Sequence, residues 1–342
     1  MYYETRICSE RSPVFDLSLA IGNLLSVPVV VFILAVLATR LKTDIRLPEA
    51  IYQGITIFLL VGIGLKGGHA LKDGGAADFA LPAAMAFALG IVIPIIAFWL
   101  LKLVKKVSRT DRAALAAHYG STSLVTFSAG LVTLESLKVF VEPYVATLLA
   151  IMEIPGIIVG IYLGTRAQKD EGAYSRFVET LHEVLLGRTV VLLVGALIAG
   201  YVAPEQSFAK VQTFFVELQP GVLVLFLLQL GVIVGERLKS ITSAGWALPV
   251  FAIVMPLIGG SLGATLGILA GMSAGGATML AILTASASYI AAPAAVTIAL
   301  PKANLGLALS ASLGITFPFN LLFGIPIYLE IARALYRVIG NG

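Results

Sequence analysis

Three clusters of residues in this chain could do chemistry, and each lies inside an apolar run. Residues 149–159 read LAIMEIPGIIV, which sets the carboxylate of Glu153 two residues before Pro155 among aliphatic side chains. Residues 120–123 read GSTS, bringing together Gly120, Ser121, Thr122 and Ser123. Residues 286–293 read SASYIAAP, with Ser286, Ser288 and Tyr289 ahead of Pro293. An ionised side chain at the centre of a bilayer costs at least about 2.5–3.5 kcal/mol. An acid such as Glu153 therefore needs a cation, a proton or a basic partner. The neighbouring apolar runs contain no Lys or Arg, so a sodium ion or an exchangeable proton is the expected coupling partner.

The other two clusters imply broken helices. Glycine followed by three hydroxyl residues makes a poor helix interior and a good helix start. Hydroxyls and freed amides at such a start suit an anion at the positive end of a helix dipole. Pro293 lacks an N–H and crowds the carbonyl of Tyr289, so a second break is expected there. Ser286, Ser288 and Tyr289 join the GSTS residues as candidate substrate contacts. A further stripe, Ser312, Thr316 and Asn320, falls at four-residue spacing on one helix face. With Glu153 and Tyr289 it forms the candidate ion-coupling set. Hydroxyl and small residues also serve plain helix packing, and that alternative stays open for the stripe.

The elements that position these residues are membrane spans. Only 12% of the chain is charged, about half the usual share of a soluble domain. Apolar runs of spanning length lie near 18–39, 49–66, 79–101, 113–134 and 143–165, and again near 188–203, 219–235, 246–270, 276–299 and 304–332. The sixth is short and the tenth long, so tilt or a break is expected in both. Fifteen of the 23 basic residues fall in the odd-numbered loops. Positive charge stays cytoplasmic, so both termini are expected outside a plasma membrane. Residues 1–17 read as a polar lead without a cleavable signal, 18–165 as one five-helix unit, 166–187 as a cytoplasmic linker and 188–337 as a second unit.

The halves echo each other. IFLL at 57–60 matches LFLL at 225–228, and LP at 81–82 matches LP at 248–249. GSTS at 120–123 matches ASAS at 285–288, and EIP at 153–155 matches TFP at 316–318. The offsets drift only from 168 to 163, which argues for a repeated unit. Five spans per unit is odd, so the second copy enters from the opposite face. The expected fold is an all-α membrane protein of ten helices, two inverted five-helix repeats whose fourth and ninth helices break and cross.

Other function classes find little support. The three histidines and single cysteine lack metal-ligand spacing, and no nucleophile–base pair or phosphate loop occurs. No enzyme activity and no cofactor are expected. The basic residues are spread over short loops, which excludes a nucleic-acid surface. A channel would need a continuous pore lined by rings of like groups, and two unlike half-sites in one chain offer none.

The motifs LPEAI (47–51), IGLKGG (63–68), GSTS, TLES (133–136), MEIP (152–155), SASYIAAP and LPKAN (300–304) occur in an order that resembles the cyanobacterial-type sodium-dependent bicarbonate transporters. The resemblance implies symport of a small anion with sodium by alternating access. The anion would bind between a core domain holding the crossed helices and a gate domain. It implies a homo-oligomer, trimeric in the family. Some relatives answer to a PII-like regulator, but the short loop from Arg166 to Arg188 carries no insert for one. The family pattern has an acid in the ninth span where this chain has Tyr289, and a serine and a glycine where it has Ala291 and Ala292. A tyrosine hydroxyl donates to an anion but is a weak cation ligand. Another small carboxylate or anion, or proton coupling, is the alternative reading within the same fold.

Overall fold

The computed structural model describes residues 17–73, 76–104, 107–166, 172–237 and 245–339, and it is helical throughout with no strand among them. The polar lead 1–16 and the loop residues Lys105, Lys106, Lys169 and Lys239 lie outside the described residues.

The first span is split into α1 (Leu17–Leu24) and α2 (Val27–Arg40), and Pro28 sits in the opening turn of α2, where its missing N–H costs nothing. Then come α3 (Glu49–Asp73) and α4 (Ala76–Leu100). The expected fourth span is two helices, α5 (Arg109–Gly120) and α6 (Leu124–Ser136), followed by α7 (Val145–Thr165). The segment read as a linker forms α8 (Ala173–Leu186), which packs on its neighbours and buries Thr180 and Val184. Gly187 is extended, with ψ 146°, and separates α8 from α9 (Arg188–Val202). Next are α10 (Glu205–Gln212), a π turn, α11 (Gln219–Arg237) and α12 (Ala247–Leu269). The expected ninth span is α13 (Ala274–Ala285) and α14 (Ala291–Ala299). A last helix, α15 (Leu305–Ile339), contains π turns at Ser312–Thr316 and Asn320–Gly324.

Seven helices among the described residues are long and apolar enough to cross a bilayer. The segments expected as spans one, four and nine fall outside that number because each is made of shorter helices. Phe87, Ile198 and Val250 point outward from α4, α9 and α12, more than half exposed. Such a surface fits lipid, where every backbone group must be satisfied within the protein.

The helices sort into two groups. In one, α3 packs along α9 and α2 along α11. Gly64 and Gly68 of α3 meet the backbone of α9, while Gly231 and Gly235 of α11 face α2. In the other, α4, α5 and α7 pack together, and α12, α13 and α15 form a second cluster.

The closest approach joins α5 to α7. A side-chain carbon on Gly156 would collide with the carbonyl of Gly120, and one on Gly160 would strike the backbone of Ala117. This seam sets the end of α5 one turn from Glu153. Gly156→Ala is expected to lower stability by at least the 1–3 kcal/mol, roughly, of ordinary overpacking. Gly195→Ala in α9 meets nothing within 4 Å and should be neutral or stabilising by about 0.5–1 kcal/mol. Thermal melting of the two variants in detergent checks the pair, and equal melting temperatures would refute the seam.

Candidate functional site

Breaking a helix inside a protein leaves amides and carbonyls that must find partners. At the first break the chain leaves α5 at Gly120, runs extended through Ser121 and Ser123, and enters α6. Ser123 is the N-cap: its Oγ accepts from the Thr126 amide at 3.3 Å and from Thr126 Oγ1 at 3.0 Å. At the second break α13 ends at Ala285, and α14 begins at Ala291. Here the reading from Pro293 shifts. Pro293 lies in the first turn of α14, where its missing N–H costs nothing, so the break precedes it and Tyr289 is outside any helix. Ser288 Oγ accepts from the amides of Ala291 and Ala292, each at 3.3 Å.

The two breaks satisfy each other. The Ser288 amide donates to the carbonyl of His118 at 2.7 Å. The Ser123 amide donates to Ser286 Oγ at 2.9 Å, and Ser286 Oγ donates on to the carbonyl of Leu283 at 2.8 Å. Ser123 Oγ donates to Tyr289 OH at 3.3 Å.

Glu153 stands beside this crossing on α7, 3% exposed. Thr122 Oγ1 donates to its Oε2 at 2.6 Å. Ser121 Oγ faces the same carboxylate, buried and without a hydrogen bond of normal geometry. Among the described residues no basic group pairs with Glu153. A narrow cleft of about 340 Å³, counted with its open mouth, is lined by Thr122, Ser123, Glu153, Ser288 and Tyr289. Its other wall is Thr56 and Leu60 of α3 and Thr189 of α9. The starts of α6 and α14 both border it, through Leu124 and Ile290.

The structure therefore brings Gly120, Ser121, Thr122, Ser123, Glu153, Ser286, Ser288 and Tyr289 to one place. The α15 stripe is elsewhere. Ser312 Oγ donates to the Ala308 carbonyl at 2.8 Å. Thr316 Oγ1 donates to the Ala252 carbonyl at 2.6 Å and contacts Tyr119 OH at 2.6 Å. Asn320 donates to the Ala285 carbonyl at 2.8 Å and accepts from Tyr328 at 2.7 Å. These groups tie α15 to α12, α13 and α5, and none borders the cleft. Thr56 and Thr189 do border it and were missed from sequence, because a lone threonine in an apolar run gives no signal.

A cleft of hydroxyls, two helix N-termini and one buried carboxylate suits a small ion pair better than a bond-breaking reaction. A family model described as the Na+-dependent bicarbonate transporter superfamily matches residues 28–333. The chain belongs to that superfamily. No curated protein matches it. As a member of the superfamily the chain is a multi-pass membrane transporter and not an enzyme, and the crossing lies within the matched span.

Ser286→Ala would strand the Ser123 amide, at a cost of about 1–3 kcal/mol for a buried unpaired donor, while the Leu283 carbonyl keeps the Ser286 amide at 3.3 Å. Ser121→Ala removes a hydroxyl that holds no such bond. Melting temperatures in detergent should fall by several degrees for Ser286→Ala and stay near wild type for Ser121→Ala in this transporter; the reverse order would contradict the assignment.

Proposed function

We propose that this transporter carries bicarbonate or a similar small anion together with sodium, by alternating access between two inverted five-helix repeats. The observation that carries the reading is the Thr122–Glu153 hydrogen bond at a helix break that borders a cleft. A buried carboxylate that faces only neutral donors needs a positive charge, and sodium, a hard cation, prefers oxygen ligands. The N-termini of α6 and α14 add about 0.3–1 kcal/mol each toward an anion. Neither is strong alone, so a bound cation and two dipoles together make the anion's seat.

The repeat reading is supported by matched pairs. Ser108 and Ser273 cap α5 and α13 at an offset of 165, and Ser123 and Ser288 cap α6 and α14 at the same offset. Gly64 and Gly68 recur as Gly231 and Gly235 at 167, and each pair faces the first helix of the opposite half. That exchange of partners is what a two-fold axis would produce. In this reading the paired α2, α3, α9 and α11 are the gate, and the remaining helices are the core. The protein is a plasma-membrane homo-oligomer, a trimer by family resemblance, with its basic loops cytoplasmic.

The two ends of the cleft differ. Along α3, Gln53 lies near Arg188 at one end, Thr56 and Leu60 line the site, and Lys66 pairs with Glu135 of α6 at 2.7 Å. Gln53 and Lys66 are about 20 Å apart at 1.5 Å per residue. On the Gln53 side a wider space of about 640 Å³, lined by Glu183, Arg188 and Ala294, shares Thr189 and Ile290 with the site cleft. The arrangement fits a state open toward α8 and closed by the Lys66–Glu135 pair.

Uptake of radiolabelled bicarbonate into proteoliposomes tests the reading. A sodium gradient should drive accumulation, and Glu153→Gln should remove the sodium dependence from a protein that still folds. Accumulation driven only by a proton gradient, or of other carboxylates and not bicarbonate, would replace the ion or the cargo. Equilibration without any gradient would refute symport. A second experiment addresses access: cysteines at positions 66 and 135, with Cys8 replaced, are joined by a short thiol cross-linker. Uptake should stop on cross-linking and return on cleavage of the linker. Full uptake in the cross-linked protein would remove the pair from the gate.

A further inference from the structure

We propose that Arg188 and Glu183 close the α8 end of the cleft: they stand apart in this structure and pair when that end shuts and Lys66 parts from Glu135. This rests on the alternating-access reading above and names the residues that shut the end now open.

The space of about 640 Å³ beside α8 holds two opposite charges that do not meet. Among its lining side chains Arg188 is the one cation and Glu183 the one acid, and the rest are aliphatic, small or the hydroxyl of Thr189. Both are exposed, and among the described residues neither belongs to an ion pair. Arg188 turns instead toward α3. Its Nη1 donates to Gln53 Oε1 at 3.5 Å, and Gln53 Nε2 donates to Glu49 Oε1 at 3.0 Å. A contact of that length is at the limit of a hydrogen bond, so little holds the guanidinium there.

The two residues ride on different groups of helices. Arg188 opens α9, which packs along α3 in the gate. Glu183 stands on α8, which packs against α14 and α7 of the core. Phe177 of α8 meets Tyr162 of α7 edge-on at 6.2 Å, and Thr180 and Val184 are buried. Only the extended Gly187 separates α8 from α9. Sliding the gate past the core therefore changes the distance between Arg188 and Glu183.

The far end displays the closed form of the same device. There too the gate carries the cation and the core the acid: Lys66 of α3 and Glu135 of α6 are 2.7 Å apart. A layer that rocks about the cleft cannot close both ends together, so one pair forms as the other parts. An exposed ion pair shifts such an equilibrium by roughly 1.5- to 5-fold. That is enough to bias two states and too little to trap either.

Ala294 lies exposed on the α14 wall of the open space, so a cysteine there reports access. With Cys8 replaced, the rate at which fluorescein maleimide labels Ala294→Cys is measured on the full-length chain in lipid nanodiscs. Lys66→Gln, which breaks the far pair, should slow labelling by roughly two- to five-fold. Adding either Arg188→Gln or Glu183→Gln should restore the faster rate. These two changes alter the local charge in opposite senses, so a shared direction reports the pair and not the reactivity of the thiol. In the same Lys66→Gln background, Arg188→Glu should also label fast, and Arg188→Glu with Glu183→Arg should label slowly again. If both neutralised variants stay slow, or the double reversal labels as fast as the single one, the Arg188–Glu183 gate is overturned and alternating access stands. Labelling unchanged by Lys66→Gln would overturn the far closure and this gate together.

Discussion

The structure depends on one constraint: two helices end in the buried interior, and the backbone groups they expose have no water to turn to. The chain resolves this by crossing the two breaks so that each completes the other. The Ser288 amide meets the His118 carbonyl, and the Ser123 amide reaches Leu283 through the hydroxyl of Ser286. Hydroxyl side chains are short enough to do this without spreading the helices. Once the breaks are mutually satisfied, the remaining polar groups at the crossing are surplus to structure. They are Ser121, Thr122, the Tyr289 hydroxyl and Glu153, and they line or adjoin the cleft.

Packing then decides what the surplus groups can reach. Glycines at 120, 156 and 160 let α5 and α7 touch backbone to backbone, which puts Thr122 within hydrogen-bond distance of Glu153. On the α13 side, Gly259, Gly263 and Gly267 of α12 also pack close against Thr284, Ala281 and Ala277. The layer of α3 with α9 forms the opposite wall and contributes Thr56, Leu60 and Thr189 to the cleft. A polar half facing a more apolar half suits the alternating access proposed above, in which one group of helices slides past the other.

Much of this was legible in the sequence, and the misreadings have physical causes. GSTS announced its break because glycine and serines both disfavour a helix interior and favour a cap. Glu153 stood out because an acid among aliphatic residues needs a partner, and the structure sets Thr122 beside it. Pro293 misled by three residues: proline fits a first turn as well as it breaks a middle one, and only the capping bonds of Ser288 distinguish the two. The hydroxyl stripe on α15 shares its spacing with a site but spends its bonds on Ala252, Ala285 and Ala308. Periodicity marks a helix face without saying what lies opposite. The segment 166–187, read as a cytoplasmic linker, is helical from Ala173, and α8 buries Val184 against its neighbours. Thr56 and Thr189 became visible only when α3 and α9 were placed beside the crossing.

The central claim is that a cation sits between the first break and α7. Density for the purified transporter with thallium in place of sodium, and bicarbonate present, tests it most directly. The account predicts one thallium peak within bonding distance of Glu153, Thr122 and Ser121, with anion density beside the starts of α6 and α14. A protein that transports normally but shows its only cation elsewhere, with Glu153 still bound to Thr122 alone, would contradict it.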